Sequence, residues 1–327
     1  MKKIIILSSI IIFFGLVFWF GKSGMRDTSK PTSQKEKVNV QLKFFHQAQF
    51  AGMYVAKEKG MYAAQGVDVS FIPFENDTKP VDMLTSGKAK FAVIGADELI
   101  SARLQGSKIR AIAVIYRISP VCAYSLTSSN IKKPQEFIGK KVGLAPLENI
   151  KMMYGIAMKQ IGIDRKKIIE TPQGFDASEL LAGKVDIATG FITNEPYQVK
   201  KAGKEATTFL LADYGASFYN DVIVTTEDMI ASNPTLVHNF LEATIKGWKY
   251  AIEKPEEAVS ETMKYTTDQD REKQTYMLTT SIPLINPGSI EIGKMKVEDW
   301  NKLIIAMSAS VVAQEVYDDT FIENIHK

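Results

Sequence analysis

The clearest alternation in the chain runs over 67–72, where apolar Val67, Val69 and Phe71 face one way and Asp68 and Ser70 the other. That is the period of a half-buried strand. Ahead of it, 39–45 is a short β-type run. The stretch 47–59 reads as a helix that opens on the small residues Ala48, Ala51 and Gly52 and is stopped by Gly60. Strand, polar turn, helix, turn and strand make the start of a βαβ unit. Open α/β sheets bind ligands at the ends of parallel strands and at the helix N-termini that follow. Small residues in a first helical turn let a ligand or another backbone come close.

The same alternation continues downstream. The pattern predicts a short helix over 79–85, a buried strand ending at Gly95, a helix to Leu104, and a buried strand over 109–116. Pro120 breaks the chain before a strand over 121–127. A second half follows: short helix 134–138, strand 141–145, helix 148–161 ended by Gly162, strand 168–171, and a helix over 176–182 capped by Asp176. The stretch 183–195 then echoes 87–98. Both read Gly-Lys, strand, Gly, and a helix start with Glu, about 96 residues apart. Two copies fit a duplicated α/β lobe better than a solenoid. Strands over 209–211 and 222–225 lead into helices over 233–252 (opened by Pro234), 255–265, 270–280 and 297–312. Helices without partner strands imply that the chain returns to cover its first half.

The first 20 residues have a different pattern. Lys2 and Lys3 precede an uncharged run over 4–20, and residues 21–24 are a poor substitute for an A-x-A cleavage site. As a helix the run spans about 25 Å, close to a bilayer core of about 30 Å. It reads as an N-terminal membrane anchor or a signal peptide over 1–24. A polar, aperiodic tether at 25–37 follows. Gly21-Lys22-Ser23 has Leu16 where a phosphate-binding loop needs glycine.

Length and composition then limit the function. The 327 residues suit two ordinary domains, and 45% hydrophobic with 24% charged residues fits a globular body with a sizeable core. Net charge is +3, and Lys2, Lys3 and Lys22 account for it. A neutral body argues against nucleic-acid binding. The single Cys122 excludes an intramolecular disulfide and any multi-cysteine metal or redox site. His46, His238 and His326 are too scattered to suggest a metal site. No cofactor is expected.

The residues FAGMYVAKEKGMYAAQGVDV (50–69) resemble the opening of the SsuA-like group of periplasmic-type solute-binding proteins, which take sulfonates and thiamine precursors. Within it they are most similar to the pyrimidine (thiamine-precursor) binding proteins of ABC importers. The resemblance covers roughly residues 40–310. It implies an α/β, two-lobed type II periplasmic-binding-protein fold with a hinge and an interlobe cleft. Lobe 1 would be 38–125 plus 225–327 and lobe 2 would be 126–224, with crossings near 121–128 and 211–225. It also implies a monomer outside the cytoplasm that partners a permease and an ATPase, with a small-molecule ligand and a membrane contact through the N-terminal segment.

Candidate ligand residues lie at strand ends that would face a cleft. Gly190 to Tyr197 combines a glycine break, aromatic Phe191, amide Asn194 and carboxylate Glu195 at a strand-to-helix junction. An aminopyrimidine offers ring acceptors and an amino donor, which an amide and a carboxylate complement, and aromatic faces stack on the ring. The resemblance places the family's Asn-Glu motif on Asn194 and Glu195. The structural alternative is a helix cap by Asn194 and a helix-dipole role for Glu195. Tyr214 and Tyr219 lie in a segment resembling a family motif at a lobe crossing, with Ser217 in place of proline, and are otherwise a packed turn. Gln47 and Phe50 sit in the opening turn, Asp97 and Glu98 at a strand end, and Tyr116 and Arg117 at another. Arg117 is either an anion partner or an ordinary ion pair. His46 reads as solvated, and Met152 and Met153 as packing.

The resemblance extends to a self-consuming pyrimidine synthase that uses its own histidine, a cofactor-bound lysine and a CCCFC pattern. With one cysteine, this chain departs from that pattern, and an enzyme is not expected. A membrane-anchored sensor module would need a separate output partner. The sequence therefore points to capture of a thiamine-related aminopyrimidine, with riboflavin and alkanesulfonates as alternatives.

Overall fold

The computed structural model describes residues 35–75, 78–288 and 290–327. The expected leader or anchor at 1–24 and the tether up to residue 34 lie outside the described residues. Among the described residues no helix is long and apolar enough to cross a membrane.

Ten strands are found among the described residues. The chain forms β1 (Glu36–Gln41), β2 (Val67–Ile72), β3 (Phe91–Gly95) and β4 (Ile109–Val114) before its first crossing. After it come β5 (Val121–Leu126), β6 (Lys141–Leu144), β7 (Ile169–Pro172), β8 (Ile187–Phe191) and β9 (Ala206–Leu210), and the second crossing leads to β10 (Asp221–Thr226). They make two five-stranded sheets, ordered β2-β1-β3-β10-β4 and β7-β6-β8-β5-β9. In each sheet four strands run in one direction, and the one in fourth place runs antiparallel to both its neighbours. β3 and β8, the two strands of the sequence echo, occupy the same third place. The fold is α/β with two lobes and a cleft between them.

The principal helices are α1 (Ala51–Glu58), α2 (Ala96–Leu104), α3 (Glu148–Gln160), α4 (Glu195–Lys201), α5 (Pro234–Glu253), α6 (Pro255–Thr262), α7 (Arg271–Ile285) and α8 (Val297–Ala306). Strand β3 is buried throughout, as expected of a strand covered on both faces. In β1, Val38 and Val40 pair with Val69 and Phe71 of β2, so the alternation read from the sequence lays one face on the core. α5 returns to cover this lobe. It lies against α1, with Trp248 buried beside Gly52 and Phe240 stacked on Phe91 at 4.0 Å.

Several expectations shift. The tether expected to reach residue 37 and the strand expected over 39–45 give way to β1, in which Glu36 and Lys37 already pair with Val67 and Asp68. Residues 121–125, expected with the first lobe, hydrogen-bond in the second sheet, and 221–224, expected with the second, lie in the first. Each crossing strand completes the sheet it enters, and only pairing decides which that is. α7 continues past 280 and through Pro283, because Leu284 and Ile285 beyond it are buried in the core. α8 stops at Ala306 instead of 312. Ser308 takes a positive φ of 52°, a left-handed conformation that ends a helix.

Candidate ligand site in the cleft

Beyond β1 the chain carries Lys43 past the end of the first sheet. Its ammonium donates to Asp221 Oδ1 at 3.1 Å, and the two side chains are 19% and 2% exposed. Asp221 opens β10 opposite Gly95 of β3. Its carboxylate also accepts from Asn220 Nδ2 at 3.1 Å and from Gln49 Nε2 at 2.7 Å. Gln47 donates to Gln49 Oε1 at 2.7 Å, and the Ala48 N–H donates to Gln274 Oε1 of α7 at 2.8 Å. The opening turn is thus fixed between the sheet and α7.

Asp97 and Glu98 stand in the first turn of α2. A Cβ on Gly95 would collide with Asp97 Oδ1 and lie 3.8 Å from Lys43 Nζ. The glycine therefore leaves one small volume shared by an ammonium and a carboxylate. Burial alone would lower the Lys43 pKa, but Asp221, Asp97 and Glu98 outweigh it and hold the ammonium above the ordinary lysine value. Burial raises the Glu98 pKa, against the opposing charge of Lys43.

In the second lobe, β8 ends at Phe191 and α4 begins at Glu195. Glu195 is 5% exposed. Its Oε2 accepts the Phe191 N–H at 2.6 Å and its Oε1 accepts from Asn194 Nδ2 at 3.0 Å. A Cβ on Gly190 would stand 2.6 Å from Oε2, so the strand-end glycine makes room for this carboxylate. Burial raises the Glu195 pKa, opposed by these hydrogen bonds and the charge of Lys273. Asn194 caps nothing with its side chain; its amide serves Glu195 instead.

α7 joins the two sides. Tyr276 Oη donates to the Ile192 carbonyl at 3.0 Å, and Tyr197 Oη donates to Asp270 Oδ1 at 3.0 Å. Lys200 pairs with Glu272 at 3.0 Å, and Lys201 pairs with Asp270. Tyr197, Lys200, Lys201, Asp270 and Glu272 line a groove of about 500 Å³. Asp270 also accepts the Lys273 N–H at 3.0 Å, capping α7. Lys201, the Lys273 N–H and Tyr197 lower its pKa to about 2. A depressed carboxylate pKa means stability that is present above the ordinary aspartate value and fades as pH falls toward the folded one, so this seam holds at neutral pH. Asp270→Asn keeps a good capping residue and removes the charge facing Lys201. The variant is expected to open the lobes, read as a larger radius of gyration by small-angle scattering. An unchanged radius would mean that these pairs do not hold the cleft closed.

Exposed aromatic rings stand at the same strand ends. Phe44 and Phe45 are 46% and 55% exposed, with ring centroids 5.0 Å apart, and Phe45 meets Phe74 at 6.2 Å. Phe175, after β7, is 65% exposed.

Of the residues singled out from the sequence, Asn194, Glu195, Phe191, Gln47 and Asp97 lie at these strand ends. The others have structural positions. Phe50 is in the first core. Tyr116 is buried with its hydroxyl donating to Ser281 Oγ at 2.6 Å. Arg117 is buried beside the Tyr219 ring, and its Nη2 donates to the carbonyls of Glu291 and Lys294, which ties it to that loop. Tyr219 donates to Asp299 Oδ2 at 3.0 Å and accepts the Lys296 N–H at 2.9 Å. Tyr214 packs on the second core, in a turn whose Gly215 abuts Gln160. All five contacts join segments distant in sequence, so no local pattern shows them.

Sequence reasoning passed over Lys43, Gln49 and Asp221. The one signal for Asp221 is the polar pair Asn220-Asp221 directly ahead of apolar 222–224. His46 is not solvated: Nδ1 meets Tyr54 Oη at 2.9 Å. Among the described residues no group of three His, Cys, Asp or Glu is placed to hold a metal. Cys122 is buried, and burial pushes its thiol well above the ordinary value.

Comparison with known proteins gives the setting. The model of the family described as "NMT1/THI5 like" matches residues 47–258. The riboflavin-binding protein RibY of Chloroflexus aurantiacus is 27% identical over 312 residues, covering 90% of this chain and 88% of that protein. The formylaminopyrimidine-binding protein of Halalkalibacterium halodurans is 24% identical over 323 residues, covering 94% and 97%. A 4-amino-5-hydroxymethyl-2-methylpyrimidine phosphate synthase of Legionella pneumophila is 23% identical over 277 residues, covering 83% and 86%. Among solved structures, the periplasmic aliphatic sulphonate binding protein SsuA of Escherichia coli superposes with a TM-score of 0.69 at 13% identity, covering 87% of this chain and 93% of that one.

Proposed function

We propose that this chain, which belongs to the NMT1/THI5-like family, is the extracytoplasmic solute-binding component of an ABC importer. It closes its lobes around a small planar nitrogen heterocycle, a thiamine-related aminopyrimidine, and docks on a permease that works with an ATPase. The N-terminal segment, as leader or anchor, keeps the body outside the cytoplasm. The observation that carries this reading is the pairing of Asn194 and Glu195 at the end of β8 with the Lys43–Asp221–Gln49 cluster at the ends of β1 and β10, joined across the cleft by α7. Each Glu195 oxygen already accepts one hydrogen bond and has capacity for another. An exocyclic amino group fits that capacity.

Capture rather than catalysis fits the only thiol and the nearest histidine. Cys122 is buried with a raised pKa, a poor nucleophile. His46 is engaged with Tyr54, and burial lowers its pKa. A second reading, riboflavin, is favoured by Phe44, Phe45 and Phe74, whose linked rings offer more flat apolar surface than a single pyrimidine covers.

The test is a thermal-shift and calorimetric screen of the full chain against 4-amino-5-hydroxymethyl-2-methylpyrimidine, its formylamino analogue, riboflavin and ethanesulfonate. A ligand of the folded state raises the midpoint by mass action. A pyrimidine shift is expected. In Glu195→Gln, which retains an acceptor for the Phe191 N–H, pyrimidine affinity is expected to fall about tenfold or more, as for a lost hydrogen bond to a charged group. A shift by riboflavin alone transfers the site to the second reading, and a shift by the sulfonate alone sinks both.

A further inference from the structure

We propose that Lys43 is the specificity-determining residue of the cleft, donating to an acceptor on the edge of the ligand, and that the carboxylates around it restrict the site to ligands without a phosphate group. The inference rests on the binding function above and adds to it the charge state of the ligand.

Lys43 differs from a residue poised to bind an anion. An ammonium has three donors, and one of them goes to Asp221 Oδ1. Asp221 is itself filled by Lys43, Asn220 and Gln49, so it orients the ammonium and leaves the remaining donors of Lys43 for a neighbour. The side chain keeps 19% of its surface exposed, enough for a ligand atom to reach it. The strand end beside it is Gly95, whose missing Cβ makes room for the Asp97 carboxylate over the strand end beside Lys43 Nζ.

The charges then decide which ligand is accepted. One cation, Lys43, stands among the carboxyl groups of Asp221, Asp97 and Glu98, all of which act on its proton affinity. On the opposite side the buried Glu195 adds a further acid, and the Lys273 ammonium beside it is paired with Asp268 at 2.8 Å. A phosphate monoester carries nearly two negative charges at neutral pH. It would meet an excess of carboxyl groups in a partly desolvated cleft, where like charges repel strongly, and the two ammonium groups are already paired with Asp221 and Asp268. A neutral ring with an acceptor next to a donor finds Lys43 for the first and Asp97 for the second. Rejection by unmatched charge is a stronger filter than a missing contact.

Paired probes differing only in the phosphate test this by calorimetry on the full chain: 4-amino-5-hydroxymethyl-2-methylpyrimidine against its phosphate, and riboflavin against riboflavin 5′-phosphate. Whichever pair binds, the phosphate-free member is expected to bind at least about a hundredfold more tightly. Lys43→Gln keeps a donor and loses the charge; it is expected to weaken the phosphate-free ligand about tenfold and to widen the ratio. Asp97→Asn sits on a partly exposed helix start and is expected to narrow the ratio about tenfold, an effect that a merely structural role would not produce. Equal affinity within the binding pair, or a ratio that neither variant moves, overturns the inference and leaves the binding function standing. Failure of both pairs to bind at millimolar concentration overturns the two together.

Discussion

Gly247→Ala is expected to destabilise the first lobe by about 3 kcal/mol, the upper range for overpacking a core. Helix propensity alone argues the other way, since alanine in place of a helical glycine gains about 1 kcal/mol. The sign is decided by the crossing of α1 and α5. A Cβ at position 247 would run into the Gly52 carbonyl oxygen and stand 2.7 Å from Ala56 Cβ and 3.0 Å from the Ala56 nitrogen. Backbone atoms on both helices give way only if the helices separate. Separation would also lift Trp248 from Gly52, where its ring now lies so close that no Cβ fits between them. Urea unfolding followed by tryptophan fluorescence measures the effect, with exposed Lys246→Ala as a control expected within about 0.5 kcal/mol of the parent. A Gly247→Ala protein as stable as the parent would show that the helices do not approach as described.

Asp221→Ala should cost about 3–5 kcal/mol, the range for stripping one partner from a buried ion pair, and should abolish ligand binding. Its carboxylate is 2% exposed and holds Lys43, Gln49 and Asn220 together. Without it, Lys43 keeps a largely buried charge and two amide groups lose their acceptor. The pH dependence gives a second signature. In the parent, the Lys43 pKa is raised, so its contribution is complete below the ordinary lysine value and is lost as pH rises through the folded one. In the variant, the ammonium has lost the largest of its three carboxylate partners and sheds its proton more readily. The gap in unfolding free energy between parent and variant is therefore expected to narrow from pH 7 to pH 10. A constant gap would show that Lys43 does not carry the charge assigned to it.

The two variants probe different kinds of information. The glycines of α1 and α5 are visible in the sequence but have no local reason: position 247 lies inside a helix that its periodicity marks well. Only the approach of a segment nearly two hundred residues away makes that glycine necessary. Asp221 and Lys43 are likewise unremarkable in their own neighbourhoods. One follows a polar residue at a crossing and the other lies within a β-type run. Their pairing arises because β10 enters the first sheet between β3 and β4, a choice made by hydrogen bonding between strands and not by either strand's pattern.

By itself the sequence determined the α/β class, the βαβ opening, the strand over 67–72, and the duplicated strand that became β3 and β8. These follow from side-chain periodicity and from glycines at strand and helix ends, which act over a few residues. It also singled out Asn194 and Glu195 as candidates, because an amide and a carboxylate after a strand-end glycine form a local signal. The tertiary structure alone decided which crossing strand completes which sheet, that Tyr116, Arg117 and Tyr219 bond to segments far away in the sequence, and that Lys43 and Gln49 meet on the Asp221 carboxylate. Charge pairs and hydrogen bonds between distant segments depend on how the lobes are assembled, and periodicity along the chain carries no record of that.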